Sequence, residues 1–558
     1  MKHKHQPNSR ASKKQPAQPG FSGWSNFAPY LPPAAALLTF LITLSYPLLG
    51  VDDHAATVDN PAVKNFDPAG LFSQFNLGMY APLTWLGYTL AHALGGEDGF
   101  WYHLLSVATH TVNAALLYQL LNRISGQTWA AAAVALLFAI HPVQVESVAW
   151  VAAFSTPLSA LFMLLGLLAY TRPEVHPNRA FAWAIAFFIL ACLAKSTAVV
   201  LALLVPLLDW WRAVRRPWYV YASFIAVALG FGALTLYSRA ASGAAPVVQS
   251  DVYSLTDRFF MVCYAPVYYW SKLLLPLKLN IYYAFEKING QFPWYYFASP
   301  ALLAIVAYVA WKYRATQPYL LRGLWWYGAN IAVFLPFATV GTFELCADHY
   351  NYLAGAGIFY LLLEGGTALG KRLPATAAAI KIAAAVWILG VWTLSFQQVR
   401  SWKSTLNVFT QAINNGHHLQ GKMYYWRGVE YGDTGNMAAA VEDFNQAVRL
   451  DSALWDAYRF RGSLMAQSGQ LEPALRDLQT YLRSDTANAP VWNNVAMINV
   501  RLNNLPEALN AFTRTIQIKP DAAVSYSNRA RLYLMMGDTA KAQADLEIAK
   551  KLAEGKQK

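Results

Sequence analysis

Long apolar runs alternate with short polar turns through the first 400 residues. The runs lie near 31–50, 101–121, 128–140, 150–170, 180–194, 196–211, 218–238, 294–312, 322–340, 349–369 and 376–397. A helix of about 20 apolar residues spans the hydrocarbon core of a bilayer, so these runs predict a polytopic helical membrane domain over 29–400. Basic residues gather in alternate turns: Arg172 and Arg179, then Arg212, Arg215 and Arg216, then Lys312, Arg314 and Arg322, then Lys371, Arg372 and Lys381. The positive-inside tendency puts those turns on the cytoplasmic face. The segment 258–277 holds Pro266 and Pro276 and reads as re-entrant or interfacial. About 11 crossings result, with the N-terminus inside and the C-terminus outside. If 258–277 crosses as well, the C-terminus turns to the cytoplasm.

At residue 401 the pattern changes to a 34-residue period. Gly428, Gly462, Ala496 and Ala530 share one small position, and Ala440, Ala474, Ala508 and Ala542 a second. Tyr424, Tyr458, Trp492 and Tyr526 share an aromatic position, and Phe444, Leu478, Phe512 and Leu546 a large apolar one. Small residues where paired helices touch, and large ones that plug the next pair, are the needs of tetratricopeptide repeats. The registers place repeats near 421–454, 455–488, 489–522 and 523–554 in a domain over 401–558, with a further helix at 402–414 capping the stack against the membrane part.

Composition agrees with this division. Apolar residues make up 56% of the 558 residues and charged ones 13%, with 20 Trp and 32 Tyr; that is a membrane protein with interfacial aromatics. Residues 401–558 carry 18 Lys/Arg and 15 Asp/Glu, the rest 25 and 15. The basic excess thus lies in the membrane part, which fits short cytoplasmic loops and not a nucleic-acid partner. The first 28 residues, with five Lys/Arg before residue 20 and no acid, read as a disordered cytoplasmic tail that touches anionic lipid. Cys192, Cys263 and Cys346 have neither metal nor disulfide spacing.

Polar residues collect on the proposed outer face. Asp52 and Asp53 sit where the first run ends, followed by His54, Asp59 and Asn60. Tyr80, Pro82 and His92 come later in that loop, His141-Pro142 and Glu146 on the next turn, Lys195 on the third, and Glu344, Asp348, His349, Tyr350, Asn351 and Tyr352 on the last. A carboxylate at a membrane boundary can serve as a base or metal ligand toward a lipid-anchored substrate, and Lys or His can hold a phosphate. Plainer roles compete. His103 and His110, seven apart in one run, suit hydrogen bonds between helices. His141-Pro142 suits a helix end. Lys195 can snorkel to the interface. The runs Tyr268-Tyr269-Trp270, Tyr282-Tyr283 and Trp294-Tyr295-Tyr296 suit an aromatic belt.

The order Asp52-Asp53…Asp59-Asn60-Pro61, His103…His110, Phe138-Ala139-Ile140-His141-Pro142-Val143-Gln144-Val145-Glu146, Lys195, Ala347-Asp348-His349-Tyr350-Asn351-Tyr352-Leu353, then repeats, resembles the transmembrane-and-tetratricopeptide-repeat O-mannosyltransferases and their bacterial relatives. The resemblance implies a GT-C glycosyltransferase fold and an inverting transfer from a polyprenyl-phosphate sugar donor to Ser/Thr of a protein acceptor. It aligns Asp52 with the catalytic base and gives Asp53 the part of orienting it. His141, Glu146, Lys195, Asp348, His349 and Tyr352 become candidates for the donor phosphate or substrate. GT-C enzymes differ in metal use, so a divalent cation such as Mg or Mn, if used, falls to Asp52, Asp53 and Glu146. The repeats imply acceptor binding, with Tyr425, Arg459, Asn493 and Asn528 as groove candidates. The implied location is a bacterial inner membrane with the repeats periplasmic. Some positions depart from the family pattern: Phe154-Ser155-Thr156 replace an Arg and an Asp, Lys195-Ser196-Thr197 replace Lys-Glu-Thr, Tyr80-Ala81-Pro82 replace Tyr-Arg-Pro, and Asp348-His349 replace Glu-Arg. The lost arginines point to His349, with Lys195, for the phosphate. A membrane-anchored repeat scaffold without catalysis is the alternative reading.

Overall fold

The computed structural model describes residues 24–335, apart from 74, 76–78, 173–176, 242–252, 282, 285–286 and 288–289, and residues 344–555, apart from 418–419. The described parts of the apolar runs are mostly helical, as single helices or as helices with a 3-10 turn at one end; residues 46–50 are not helical, and 336–340 lie outside the described residues. Among the described residues, five helices are long and apolar enough to cross a membrane; a sixth counts if the pair Thr128–Ile140 and Pro142–Ala149, bent by 53°, is one span. The other runs are shorter or broken, Leu31–Ser45, Asn178–Ala194 and Ser196–Trp211 among them. Breaks in this domain fall at the turns that carry polar residues. There the backbone leaves helical pairing, which a bilayer domain tolerates only beside protein or a wet cavity.

Leu31–Phe40 packs on Gly99–Ser125 and Thr128–Ile140, and Gly99–Ser125 also packs on Ser155–Tyr170. The 27-residue helix Gly99–Ser125 starts at the N-cap Asp98, whose carboxylate accepts from Phe100 N, and stops at Gly126 in a left-handed conformation. His110 ties three segments together within this core. One ring nitrogen meets Tyr352 Oη at 2.7 Å and the other Ala139 O at 3.1 Å. Asn113 Nδ2 donates to Tyr352 Oη at 3.1 Å and Pro157 O at 2.8 Å. The sequence-based expectation of an interhelical role for His110 is thus met. A smaller core of Ala56, Val63, Trp85, Tyr88, Val151 and Phe154 lies under the loop that follows the first span.

Segment 258–277 folds into Leu255–Leu274, opened by a Ser254/Asp257 capping box. It is absent from the helices apolar enough to cross, and it buries Met261, Ala265, Tyr269 and Leu273. Its tyrosines correct the aromatic-belt expectation. Tyr269, Tyr283 and Tyr296 are buried, with Tyr264 and Tyr296 ring centroids 4.0 Å apart. They form an internal seam where helix Leu255–Leu274 packs on helix Trp294–Lys312; Trp294, 77% exposed, keeps the belt role. Tyr282 lies outside the described residues. A two-stranded antiparallel pair, Tyr283–Ala284 with Glu344–Cys346, is the one sheet among the described residues.

The repeats are four helix pairs: Gly421–Asp433 with Met437–Leu450, Trp455–Gln467 with Leu471–Tyr481, Ala489–Arg501 with Leu505–Ile518, and Ala523–Met535 with Thr539–Gly555. The small positions are where the helices touch: a Cβ on Gly428 would lie 3.0 Å from Phe444, and one on Gly462 3.0 Å from Asp477. Each turn needs a positive φ at one register, supplied by Gly435, Gly469 and Gly537 and, in the third repeat, by Asn503 at 61°. Phe444, Leu478 and Phe512 are buried, and Leu546 is 47% exposed.

A second periodic feature holds each pair. Arg427 grips Asp443 with both carboxylate oxygens, as do Arg461 with Asp477 and Arg529 with Asp545. The third repeat has Val495 and Ala511 at those positions, both buried. Polar and apolar solutions thus coexist in one register. Asp477→Ala should cost about 2 kcal/mol by stranding a partly buried guanidinium. Adding Arg461→Val should recover most of that loss, as replacing a buried pair by apolar groups often does. Unfolding of the purified full chain, followed by near-ultraviolet circular dichroism, measures this. A double variant as unstable as the single would reject the equivalence.

Candidate active site

The loop after Leu31–Ser45 turns sharply at Asp52. Asp53 N–H donates back to Val51 O at 2.7 Å, which leaves Asp52 at φ 59° and ψ −19°. Left-handed backbone is uncommon for any residue with a Cβ, though Asp tolerates it better than most. Such strain persists where surrounding contacts hold it. Trp150 Nε1–H donates to Val51 O at 3.0 Å. The Asp53 carboxylate accepts from Leu49 N at 2.8 Å and from Ala152 N at 2.7 Å. Gly50 N–H donates to Thr405 Oγ1 at 2.9 Å.

The two carboxylates therefore differ. Asp53 is fully buried, and burial pushes it up to about 8 against the pull of the Leu49 and Ala152 amides. Asp52 is exposed and makes no capping bond. Protein packed around it raises its pKa from the ordinary carboxylate value, which makes the ionised form a better proton acceptor. The structure thus brings one open carboxylate to the surface and fixes it through the other.

Glu146 lies on the turn that follows His141-Pro142 and is 2% exposed. His349 Nδ1 is 2.7 Å from Glu146 Oε1, and His349 N–H donates to Oε2 at 3.3 Å. Lys195 sits in the break between Pro177–Ala194 and Ser196–Val200 and donates to Thr156 Oγ1 at 2.7 Å. Lys195, His349, Thr156, Ser159, Tyr350 and Asn330 line one cavity of about 40 Å³, whose remaining walls include Met163, Val200 and Phe334. Burial pulls Lys195 down to about 8, with Glu146 acting in the other direction. Burial and the charge of Lys195 hold His349 well below its ordinary 6.5. That direction favours the neutral imidazole, whose Nδ1 shares one proton with the Glu146 carboxyl, itself pushed up to about 8 by burial. This corrects the expectation that His349 supplies a phosphate-binding cation: beside a buried ammonium, a second charge is too costly. Lys195 is the cation of this cavity.

Three further expectations are corrected. His141 is fully buried; its Nε2 meets Leu273 O at 3.1 Å and its Nδ1 accepts from Val143 N, so it closes a helix end instead of facing a substrate. Tyr352 lends wall area to the cavity, but its hydroxyl is taken by His110 and Asn113. Asp348, 2% exposed, accepts from Tyr283 Oη at 3.1 Å and anchors the strand pair. No group of three His, Cys, Asp or Glu among the described residues is placed to hold a metal ion. Of the carboxylates named for a cation, Asp53 accepts from two amides and Glu146 faces His349, while Asp52 alone is open. In the first loop, Asn60 caps Pro61–Lys64, and His92 meets Gly96 O.

Of the groove candidates, Tyr425 is 9% exposed and packs against Phe444 and Phe460, so it belongs to the repeat core. Arg459 pairs with Asp456 and lies over the Phe460 ring at 4.3 Å. Asn528 Nδ2 donates to Asn493 Oδ1 at 3.2 Å, which links the third and fourth repeats along one face. Sequence reasoning missed Trp150, Thr156 and Thr405. Trp150 carries the Val51 bond and lies 6.4 Å from His349 and 5.9 Å from Trp402, ring to ring. No local pattern marks it among 20 tryptophans.

Fold and site together define a helical membrane protein whose strained acidic loop is linked through Trp150 to His349 of a cation-bearing cavity and touches a tetratricopeptide-repeat domain. The tetratricopeptide-repeat family model matches residues 421–454. The chain is similar to several proteins named as protein O-mannosyl-transferases. It is 24% identical over 427 residues to "Protein O-mannosyl-transferase F38B6.6" of Caenorhabditis elegans, covering 72% of this chain and 59% of that protein. It is 33% identical over 93 residues to "Protein O-mannosyl-transferase TMTC2" of Homo sapiens, 17% of this chain and 11% of the relative. To "Protein O-mannosyl-transferase TMTC1" of Mus musculus it is 32% identical over 134 residues, 22% and 14% respectively. The chain thus spans less than two thirds of these relatives. Among solved structures, "Crystal structure of MamA" aligns with 30% of this chain and 95% of its own at 19% identity and a TM-score of 0.27.

Proposed function

We propose that this chain is a membrane glycosyltransferase that moves a sugar, mannose by the names of its relatives, from a polyprenyl-phosphate donor to Ser or Thr of a protein acceptor. One observation carries the reading: the open carboxylate of Asp52 and the Lys195 cavity lie at the same end of the helices, linked by Trp150 between Val51 and His349. Asp52 takes the proton of the acceptor hydroxyl as that oxygen attacks the anomeric carbon. The bond to the donor phosphate oxygen breaks on the far side, and the configuration inverts. Lys195, with Thr156, meets the charge that develops on the leaving phosphate. Met163, Val200 and Phe334 give the isoprenoid chain an apolar wall. Glu146 holds His349 at the cavity rim without adding charge.

The repeat domain abuts the loop of Asp52, so both stand on one side of the membrane in this reading. That side is outward, in a bacterial inner membrane with the N-terminus cytoplasmic. The repeats hold the acceptor beside Asp52 and raise its local concentration, with Arg459, Asn493 and Asn528 on the contact face. Mass spectrometry of envelope proteins, with and without the chain, should show hexose on Ser/Thr only when the chain is present. Removing 422–558 should abolish that modification yet largely spare transfer to a short peptide in excess. Identical hexose profiles would reject the activity. A cytoplasmic tag at residue 558 would reject the arrangement.

A further inference from the structure

Two elements of the C-terminal domain touch the backbone around Asp52. Helix Thr405–Ala412 is capped by Ser404, whose hydroxyl accepts from Asn407 N. Its first residue, Thr405, is 6% exposed and aims its hydroxyl at Gly50 N–H, two residues before Asp52. Glu430 of the first repeat also lies against Gly50: a Cβ there would sit 3.4 Å from both Thr405 Oγ1 and Glu430 Oε2, within ordinary contact. Val51 packs beside Phe409, Ile413 and Met423. The Trp402 ring lies tilted, 5.9 Å from that of Trp150, the residue that donates to Val51 O. The amide before Asp52 and the carbonyl before Asp52 are thus both held, directly or at one remove, by residues 402–413.

From these contacts we infer that Thr405 is a positioning residue for Asp52: the C-terminal domain holds the strained loop in its reactive geometry as well as recruiting the acceptor. The inference rests on the assignment of Asp52 as base. Its physical basis is that a left-handed Asp relaxes toward ordinary backbone once its surroundings loosen, and a displaced carboxylate no longer reaches the acceptor proton. An acceptor seated on the repeats would then act on the same element that orients the base.

Thr405→Val keeps the shape and removes the hydroxyl. Transfer to a short soluble peptide, which does not need the repeats for capture, should lose about 10-fold in kcat with donor KM unchanged. Thr405→Ser should restore most of it. Hydrogen exchange at the Gly50 amide should quicken in the Val variant and return in the Ser variant. Unchanged kcat and exchange in Thr405→Val would overturn the inference, and so would a loss that Ser does not restore. Asp52→Asn run in parallel separates the two claims. If it is fully active, the base assignment fails; if it is inactive while Thr405→Val is normal, only the positioning role fails.

Discussion

Asp52→Asn is expected to lower transfer about 100-fold or more, the usual scale for losing a general base. The substitution keeps size and the tolerance for left-handed backbone, since Asn adopts that region as readily as Asp. The loop should therefore keep its shape while its proton acceptor is gone, and donor binding should be unaffected. Asp53→Asn should behave otherwise. Its carboxylate accepts from Leu49 and Ala152 amides, and an amide side chain sets a donor against one of them. That variant should lose structure in the loop, seen as faster hydrogen exchange over 49–57, together with activity. Single-turnover transfer with donor in excess reads the chemical step for both. An Asp52→Asn enzyme working at full rate would remove the catalytic reading.

Lys195→Met is expected to weaken donor binding by about 10- to 100-fold, the worth of a charge-assisted contact to phosphate. The pH dependence should carry its signature. Burial lowers Lys195 to about 8, so the ammonium is present below that value and lost as pH rises through it. Donor affinity should be level through neutral pH and fall above about 8, with bound phosphate moving the break upward by stabilising the charged form. Lys195→Arg should flatten the profile, because a guanidinium stays charged. His349 should contribute no break near 6.5, since Lys195 and burial keep it neutral. Titration of donor binding across this range decides between the two cations. A break near 6.5 that vanishes in His349→Ala would restore the imidazole as the phosphate ligand.

Periodicity made the architecture legible. The apolar runs became helices over most of their described length because a helix satisfies its own backbone wherever water is scarce. The 34-residue registers became repeats because each small or large position answers to the same contact in every pair. The period did not disclose the Arg–Asp clamp, although Arg427, Arg461 and Arg529 recur in register with Asp443, Asp477 and Asp545. The third repeat breaks that pattern with Val495 and Ala511. Chemistry was less legible. Asp52 and Asp53 are neighbours of one type, and nothing in their order says which is open. His141 and Glu146 share one turn, yet one closes a helix and the other grips His349 from 203 residues away.

By itself the sequence determined the division at residue 401, the helical class of both parts and the polar turns from which a site could be built. Those properties follow from local patterns, in which each residue's preference depends on near neighbours and on whether water or lipid surrounds it. Only the tertiary structure decided which carboxylate faces solvent, which cation the cavity keeps and what holds the loop of Asp52. Trp150 and Thr405 meet that loop across 99 and 355 residues. The charge state of His349 depends on burial and on an ammonium carried by a distant helix break. Exposure, strain and protonation are properties of surroundings assembled from distant segments, and no single stretch of chain encodes them.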